Sequence, residues 1–268
     1  MDIGGRLKEL FSLEGKVILI TGAGGAIGSE MAIGVAQVGA KVILSDVNDE
    51  GMRDAESRIR AFGGEALCIH TDMLSLDSIK SCVAQSIERF GKIDVLINCA
   101  GINKRIGCMY GDEETFDRIV GVNLKGVYFM SQEVAKHMAK AHQGSIINIA
   151  SYNAVMMLGG CGVYGATKSG VAALTRAQAI EWAKHGIRSN AIAPGHIKTS
   201  LTTPLWENPK LSRFLLDRIA MARPGTPSDL IGITILLASD ASCYMSGMMY
   251  HVDGGCLAGG QPWEIENI

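Results

Sequence analysis

Short runs of branched apolar residues alternate with longer helical stretches along the whole chain. Strands that are apolar without alternation are buried on both faces, which is typical of parallel sheets. Helices of about 10–20 residues between such strands form right-handed crossovers. The pattern predicts an α/β fold with a doubly wound parallel sheet of about seven strands and helices on both faces. The strands are predicted at 16–20, 41–45, 65–69, 93–97, 145–149, 188–192 and 248–252, and helices at 28–38, 49–62, 76–90 and 162–184.

We predict a single domain over residues 1–268. No Pro/Ser-rich linker, internal repeat or low-complexity tract interrupts the alternation, and 47% of the residues are hydrophobic, enough for one large core. The long stretch at 196–227, which contains Trp206, has no regular pattern. Irregular inserts of this length are usually functional, so we expect a lid; an oligomer contact or an ordinary pair of surface helices is the alternative.

Charge balance and targeting patterns restrict the partners. Twenty-five Lys and Arg against 27 Asp and Glu give a net charge of −2, so we expect neither a nucleic-acid nor a membrane surface. No apolar run approaches the roughly 20 residues of a transmembrane helix, and the first residues do not resemble a secretion signal. Seven cysteines without a CxxC pair indicate reduced thiols and a cytoplasmic protein. The six histidines lack metal-ligand spacing, so no metal site is predicted.

A glycine-rich loop directly follows the first predicted strand. Such a loop turns tightly and approaches a pyrophosphate, whose charge a helix N-terminus stabilises. Asp46 follows the second strand, 18 residues after Gly28, where a carboxylate accepts hydrogen bonds from ribose hydroxyls and repels a 2′-phosphate. This favours NAD over NADP, with a turn or capping role for Asp46 as the alternative. The loop residues expected to bind the dinucleotide are Gly22, Gly24, Gly25, Ala26, Ile27 and Gly28.

A tyrosine and a lysine lie four positions apart on the last long predicted helix. Tyr164 and Lys168 therefore share one helix face. A free phenol has a pKa of about 10, and a neighbouring ammonium is expected to lower it. Tyr164 could then take a proton from a substrate hydroxyl and return it in the reverse direction. A surface packing pair is the alternative interpretation.

Two motifs, Asn98-Cys99-Ala100-Gly101 and Tyr164-Gly165-Ala166-Thr167-Lys168, resemble the short-chain dehydrogenase/reductase family. The resemblance extends over residues 13–255, with Ala26 and Cys99 as departures from the family's motifs. It implies a Rossmann-type fold and a catalytic tetrad of Asn123, Ser151, Tyr164 and Lys168. In that tetrad Ser151 binds the reacting oxygen, Lys168 the nicotinamide ribose, and Asn123 a proton-relay water. The implied cofactor contacts beyond the loop are Asp46, Val47, Asp72, Met73, Asn98, Ala100, Gly101, Tyr164, Lys168, Pro194, Gly195, Ile197 and Thr199.

The segment from Gly101 to Arg105 places two cations just beyond the fourth strand. Arginine binds a carboxylate through two hydrogen bonds, whereas a solvated loop or an intersubunit ion pair is the alternative. The segment resembles gluconate 5-dehydrogenases and 2-keto-3-deoxygluconate 5-dehydrogenases, which implies a small sugar acid as substrate. A neutral sugar, polyol or other alcohol, or a 3-oxoacyl carrier protein, is the alternative. The expected substrate residues are Arg105, Ser151, Tyr164 and Trp206.

The family resemblance also implies a homotetramer. Val252 and the small pair Gly254-Gly255 suit a close two-fold contact. We expect the tail ending in Gln261-Pro262-Trp263-Glu264 to reach a neighbouring subunit.

Overall fold

A parallel sheet forms the centre of residues 3–261, the part of the chain that the computed structural model describes. Its strands are β1 (Val17–Thr21), β2 (Lys41–Asp46), β3 (Ala66–His70), β4 (Val95–Asn98), β5 (Gly144–Ile149), β6 (Ile187–Pro194) and β7 (Met249–Val252). Their order in space is β3-β2-β1-β4-β5-β6-β7. The direction of the strand order reverses between β1 and β4, and open sheets of this kind bind ligands at the carboxyl ends of strands at such a point.

Helices connect and flank the strands. In the described part of the chain, four of them begin at side chains that cap the first turn: Asn48, Ser75, Asp112 and Asn208 accept hydrogen bonds from main-chain N–H groups three residues later. A π-helical segment, Gly121–Gly126, joins two of the helices. The helices are α1 (Ile3–Phe11), α2 (Ala26–Gln37), α3 (Asp49–Ala61), α4 (Leu76–Phe90), α5 (Glu113–Val120), α6 (Val127–Ala141), α7 (Gly162–Glu181), α8 (Thr203–Glu207), α9 (Pro209–Leu216) and α10 (Ile231–Ala238).

The core lies on both faces of the sheet. Alternate residues of β1 enter opposite layers: Ile18 and Ile20 pack in the layer that contains α2, α3 and α10, and Leu19 packs in the layer with α4 and α6. Every residue of β1, β4 and β5 is buried. Burial on both faces explains why these strands lack polar alternation.

The predicted seven-stranded parallel sheet with helices on both faces is confirmed. The description of 196–227 as irregular is wrong, because Asn208 caps α9 and Pro209 begins it. The segment contains two short helices, α8 and α9. Helices α1, α5, α6 and α10, and the π-helical segment between α5 and α6, were not predicted from the sequence. Within residues 3–261, no helix combines the length and apolar character needed to cross a membrane. Residues 262–264 of the predicted intersubunit tail lie outside the described residues.

Candidate active site

The glycine loop makes a tight turn at the carboxyl end of β1. Gly22 has a φ of +72°, and the N–H of Gly25 donates to its carbonyl oxygen at 3.1 Å. A Cβ at Gly28 would lie only 2.1 Å from that same oxygen, so α2 can pack on the loop only without a side chain there. Ala26, by contrast, is exposed. Its methyl group therefore does not crowd the turn, although this position departs from the family's glycine pattern.

The loop and the start of α2 present groups that suit a pyrophosphate. Gly25 precedes α2 without a side-chain cap, and the N–H groups of Ala26 and Ile27 have no acceptor within residues 3–261. Such free donors at a helix N-terminus bind anions. The residues present therefore fit a dinucleotide at this place.

Asp46 holds the loop from the end of β2. Its carboxylate accepts from the N–H of Gly24 at 2.8 Å and from the N–H of Asn48 at 2.9 Å. Asn48 in turn donates to the carbonyl oxygen of Gly24 at 3.1 Å. Asp46 thus has the structural role that was weighed as the alternative, and it also leaves a half-buried carboxylate at the expected ribose position.

The next predicted cofactor residues lie at the ends of β2 and β3. Val47 is 57% exposed, which leaves its surface available to a ligand. Asp72 is half-buried, and its carboxylate accepts from the N–H of Leu74 at 2.9 Å. Met73 is 6% exposed and packs in the core.

At the end of β4, the side chain of Asn98 has a structural role. Its amide nitrogen donates to Ser131 and to Asn148, each at 2.8 Å, in the buried interior. Asn98 can therefore meet a cofactor only through its main chain. Thr21, which sequence reasoning missed, accepts from the N–H groups of Cys99 and Ala100 at 3.2 Å each and so joins the glycine loop to β4.

The segment after β6 completes this edge of the sheet. The N–H of Gly195 donates to Val252 at 2.9 Å, directly after Pro194. Ile197 is 7% exposed, and its N–H donates to the carbonyl oxygen of Gly195 at 3.1 Å. The hydroxyl of Thr199 lies 3.3 Å from that of Thr202.

α7 and the end of β5 bring three of the four predicted tetrad residues together. α7 carries Tyr164 and Lys168, and Ser151 lies at the end of the neighbouring β5. The ammonium of Lys168 lies 5.7 Å from the Tyr164 ring centroid and donates to the carbonyl oxygen of Ile149 at 2.6 Å. Lys168 is only 3% exposed. Its charge is therefore held inside the protein beside the phenol.

Asn123 lies fully buried in the π-helical segment. Its amide accepts from the N–H of Ile102 at 2.8 Å and donates to the carbonyl oxygen of the same residue at 2.9 Å. A third contact runs to the hydroxyl of Thr167, on α7, at 3.3 Å. Widened helical turns of this type are frequent at functional sites. Here the widened turn lets the Asn123 side chain connect the loop after β4 to α7.

Burial dominates the acid–base properties of the pair. Burial raises the pKa of Tyr164, and a hydrogen bond with Ser151 opposes that rise. Burial also lowers the pKa of Lys168 to about 8. The expected lowering of the Tyr164 pKa by Lys168 is therefore not found; desolvation disfavours the charged form of both groups.

The two cations beyond β4 have different surroundings. Lys104 donates to the hydroxyl of Thr115 at 2.9 Å and lies 3.7 Å from Asp112, at the start of α5. Arg105 is exposed and has no ion pair or hydrogen bond within residues 3–261. The next residue, Ile106, donates to the carbonyl oxygen of Gly160 at 2.9 Å, just ahead of α7. Arg105 is thus placed near the start of the helix that carries Tyr164.

Three ring side chains, Tyr152, His196 and Trp206, pack against one another near this edge of the sheet. The ring of Trp206, from α8, lies edge-on to His196 at a centroid distance of 6.3 Å. His196 also contacts Tyr152, whose hydroxyl lies 3.3 Å from its Nε2 atom. Sequence reasoning missed Tyr152 and His196 as site residues. Their positions, directly after Ser151 and Gly195, were the available signal.

Comparisons with known proteins agree with this geometry. A family model described as enoyl-(acyl carrier protein) reductase matches residues 22–256. The 2-dehydro-3-deoxy-D-gluconate 5-dehydrogenase of Escherichia coli (strain K12) is 41% identical over 251 residues, which cover 92% of this chain and 98% of the relative. A 3-oxoacyl-[acyl-carrier-protein] reductase of Thermotoga maritima is 37% identical over 243 residues, or 91% of this chain and 98% of the relative.

A solved structure shows that the similarity extends to the fold. The gluconate 5-dehydrogenase of Burkholderia cenocepacia J2315, in complex with NADP and tartrate, superposes with a TM-score of 0.91 at 34% identity, covering 94% of this chain and 99% of that one. Sequence and fold are therefore shared over nearly the full length of both. The chain belongs to the short-chain dehydrogenase/reductase family and is an oxidoreductase that acts on hydroxyl groups.

Proposed function

We propose that this chain is an NAD(H)-dependent dehydrogenase that interconverts a secondary hydroxyl and a ketone on a small sugar acid. The observation that carries the proposal is Arg105, an exposed cation without a partner in residues 3–261, next to the start of the helix of Tyr164. A guanidinium binds a carboxylate through two charge-assisted hydrogen bonds. The names of the Escherichia coli and Burkholderia relatives, a deoxygluconate and a gluconate dehydrogenase, support a sugar acid.

Tyr164 is proposed as the general acid and base. Ser151 holds the substrate oxygen, and the Tyr164 phenol takes its proton in oxidation and returns it in reduction. Lys168 holds the nicotinamide ribose, and Asn123 holds a proton-relay water against Lys168. The nicotinamide ring, when bound, supplies the hydride acceptor or donor, and its positive charge in the oxidised form favours the phenolate.

The preference for NAD rests on Asp46. Its carboxylate is held at the end of β2 by the N–H groups of Gly24 and Asn48, so it cannot easily swing away from a 2′-phosphate. The Burkholderia relative is described with NADP, so membership of the family does not by itself choose the cofactor. Charge repulsion by Asp46 is the local reason to expect NAD here.

The test is a screen of aldonates, uronates and their keto forms with each cofactor, followed by absorbance of the reduced nicotinamide. We expect turnover with a sugar acid and NAD(H), and at least about tenfold lower kcat/KM with NADP(H). The Tyr164→Phe variant is the control for enzymatic origin of the signal. Activity confined to neutral polyols would overturn the sugar-acid proposal, and a preference for NADP would overturn the role given to Asp46.

Replacing Arg105 tests the carboxylate contact. Loss of a charge-assisted hydrogen bond costs about 1.5–3 kcal/mol, so Arg105→Gln should raise KM for the sugar acid by about ten- to a hundredfold. Lys104→Gln is the matched control, because Lys104 is already bound to Thr115, and its KM should change by less than about threefold. Equal effects of the two substitutions would contradict the assignment.

A 3-oxoacyl carrier protein is the second candidate substrate. The similarity to the Thermotoga reductase favours it, whereas the net charge of −2 does not suit an acidic carrier. An acyl thioester of 3-oxobutyrate in the same screen decides between the two, because a sugar-acid enzyme should not reduce it.

A further inference from the structure

Tyr152 and His196 form a pair beside the tetrad that the proposed reaction does not use. Tyr152 directly follows Ser151 after β5, and His196 follows Gly195 after β6. Their ring centroids are 4.9 Å apart, and the Tyr152 hydroxyl lies 3.3 Å from the Nε2 atom of His196. Since β5 and β6 are neighbours in the sheet, the pair bridges the two strand ends next to Ser151.

The hydrogen bond assigns the tautomer of His196. Tyr152 is 3% exposed, and its hydroxyl has no other partner within residues 3–261. A buried hydroxyl that finds no acceptor is costly, so the Tyr152 O–H donates to Nε2. The proton of the neutral imidazole then lies on Nδ1. Nδ1 has no acceptor in the described chain and is not sealed from solvent.

Further groups around His196 point to a ligand. The Nε1 atom of Trp206 is buried without an acceptor in residues 3–261, although its ring packs edge-on against His196. Arg105 lies close enough for its charge to lower the pKa of His196. His196 also lines a cavity of about 390 Å³ between residues 219–225 and β7, together with Ile219 and Met221. The His196 ring thus borders an open volume and packs against Tyr152 and Trp206, and the Nε1–H of Trp206 has no acceptor in residues 3–261.

We propose that His196, oriented by Tyr152, is a specificity-determining residue that donates its Nδ1–H to a non-reacting oxygen of the substrate while Arg105 binds the carboxylate. This rests on the proposed function and identifies the substrate class more closely: a sugar acid with an oxygen-bearing carbon between its carboxylate and its reacting carbon. A ketone without such an oxygen would bind without this hydrogen bond, and a site built to hydrogen-bond a substrate oxygen discriminates against ligands that lack it.

The charged groups around His196 keep it a neutral donor. Burial lowers its pKa to about 4, and the charges of Arg105 and Arg218 act in the same direction, whereas Asp253 opposes them. Burial also raises the pKa of Tyr152, which stays a phenol. The hydrogen bond to substrate should therefore persist across neutral pH, and KM should show no inflection from His196 above about pH 5.

Three substitutions at one position test the proposal. An asparagine amide can occupy the place of Nδ1, a glutamine amide that of Nε2, and phenylalanine keeps only a ring. Loss of the donor should raise KM for the sugar acid about tenfold in His196→Phe and in His196→Gln. His196→Asn should restore it to within about threefold of the wild type. Tyr152→Phe should raise KM by less than His196→Phe does, because only the orientation of the ring is lost.

Cofactor affinity and thermal unfolding separate a substrate contact from a structural one. The dissociation constant for the cofactor should stay within about twofold in all four variants. His137→Phe, in α6, is the matched control and should leave KM unchanged. An equal KM for wild type and His196→Phe would overturn the inference, as would a parallel loss of cofactor affinity and melting temperature. If the wild type turned over no sugar acid, the proposed function and this inference would both be wrong, whereas activity with unaffected variants would remove the inference alone.

Discussion

Lys168 is the residue at which burial and charge oppose each other most directly. Its side chain is 3% exposed, and within residues 3–261 its ammonium has a single close acceptor, the carbonyl oxygen of Ile149. An ammonium held in this way loses most of its hydration, which is why burial lowers its pKa to about 8. The protein therefore maintains a costly charge next to Tyr164. Such perturbed groups are typical of sites that move protons.

The stability of Lys168 should depend on pH in a defined direction. The pKa falls from 10.5 to about 8 on folding, so below pH 8 the full cost of the buried charge is present. Between about pH 8 and pH 10.5 the folded protein releases the proton before the unfolded chain does, and stability rises. Relative to Lys168→Met, the wild type should gain about 1 kcal/mol in unfolding free energy per pH unit in this window. Denaturant unfolding at several pH values measures the difference; parallel curves for the two proteins would contradict it.

At the scale of elements, the turn between β1 and α2 depends on close main-chain contact. Gly28 lies in the first turn of α2, and any Cβ there would meet the carbonyl oxygen of Gly22 at 2.1 Å. The helix start and the turn are therefore one rigid unit. The π-helical segment has a similar role on the other side, where Asn123 joins the loop after β4 to α7. The geometry of the site at this edge of the sheet therefore depends on these contacts as much as on the strands.

Gly28→Ala should separate α2 from the turn. The added methyl group must push main-chain atoms apart, so we expect a loss of about 1–3 kcal/mol in stability and at least about tenfold weaker cofactor binding. Gly232→Ala in α10 is the matched control, because no atom lies within 4 Å of a Cβ there. That variant should be more stable than the wild type by about 0.5–1 kcal/mol. Calorimetry and cofactor titration of the two variants test the expectation, and similar behaviour of both would refute it.

At the scale of the molecule, the strand order brings distant segments to one edge. Residues from the ends of β1, β2, β4, β5 and β6 meet there although more than a hundred positions separate the first from the last. Helices α5, α6 and α7 carry apolar side chains that are exposed to solvent. Phe116, Tyr128 and Ile180, on α5, α6 and α7, are 51%, 44% and 79% exposed. A surface of this kind suits contact with further copies of the chain.

We propose that the protein is a homotetramer, as the family resemblance implies. Light scattering should then give a mass of about four times 28.5 kDa. Ile180→Glu should lower the mass, because a charge on this face disfavours its burial between subunits. Phe62→Glu, at the end of α3, is the control at another exposed apolar residue and should not change the mass. A monomeric wild type would remove the proposal.

The sequence by itself determined the strands, the helices α2, α3, α4 and α7, and the glycine turn after β1. These features follow from local periodicity and short spacings, which neighbouring residues control. The membership of the tetrad came from the family resemblance and stays a prediction. Only the tertiary structure decided that Lys104 is bound at α5 while Arg105 has no partner in residues 3–261, and that Asn98 is turned into the interior. It also decided that burial raises the pKa of Tyr164 and that Tyr152 meets His196. Desolvation and contacts of this kind depend on residues far away in the chain, and no local pattern encodes them.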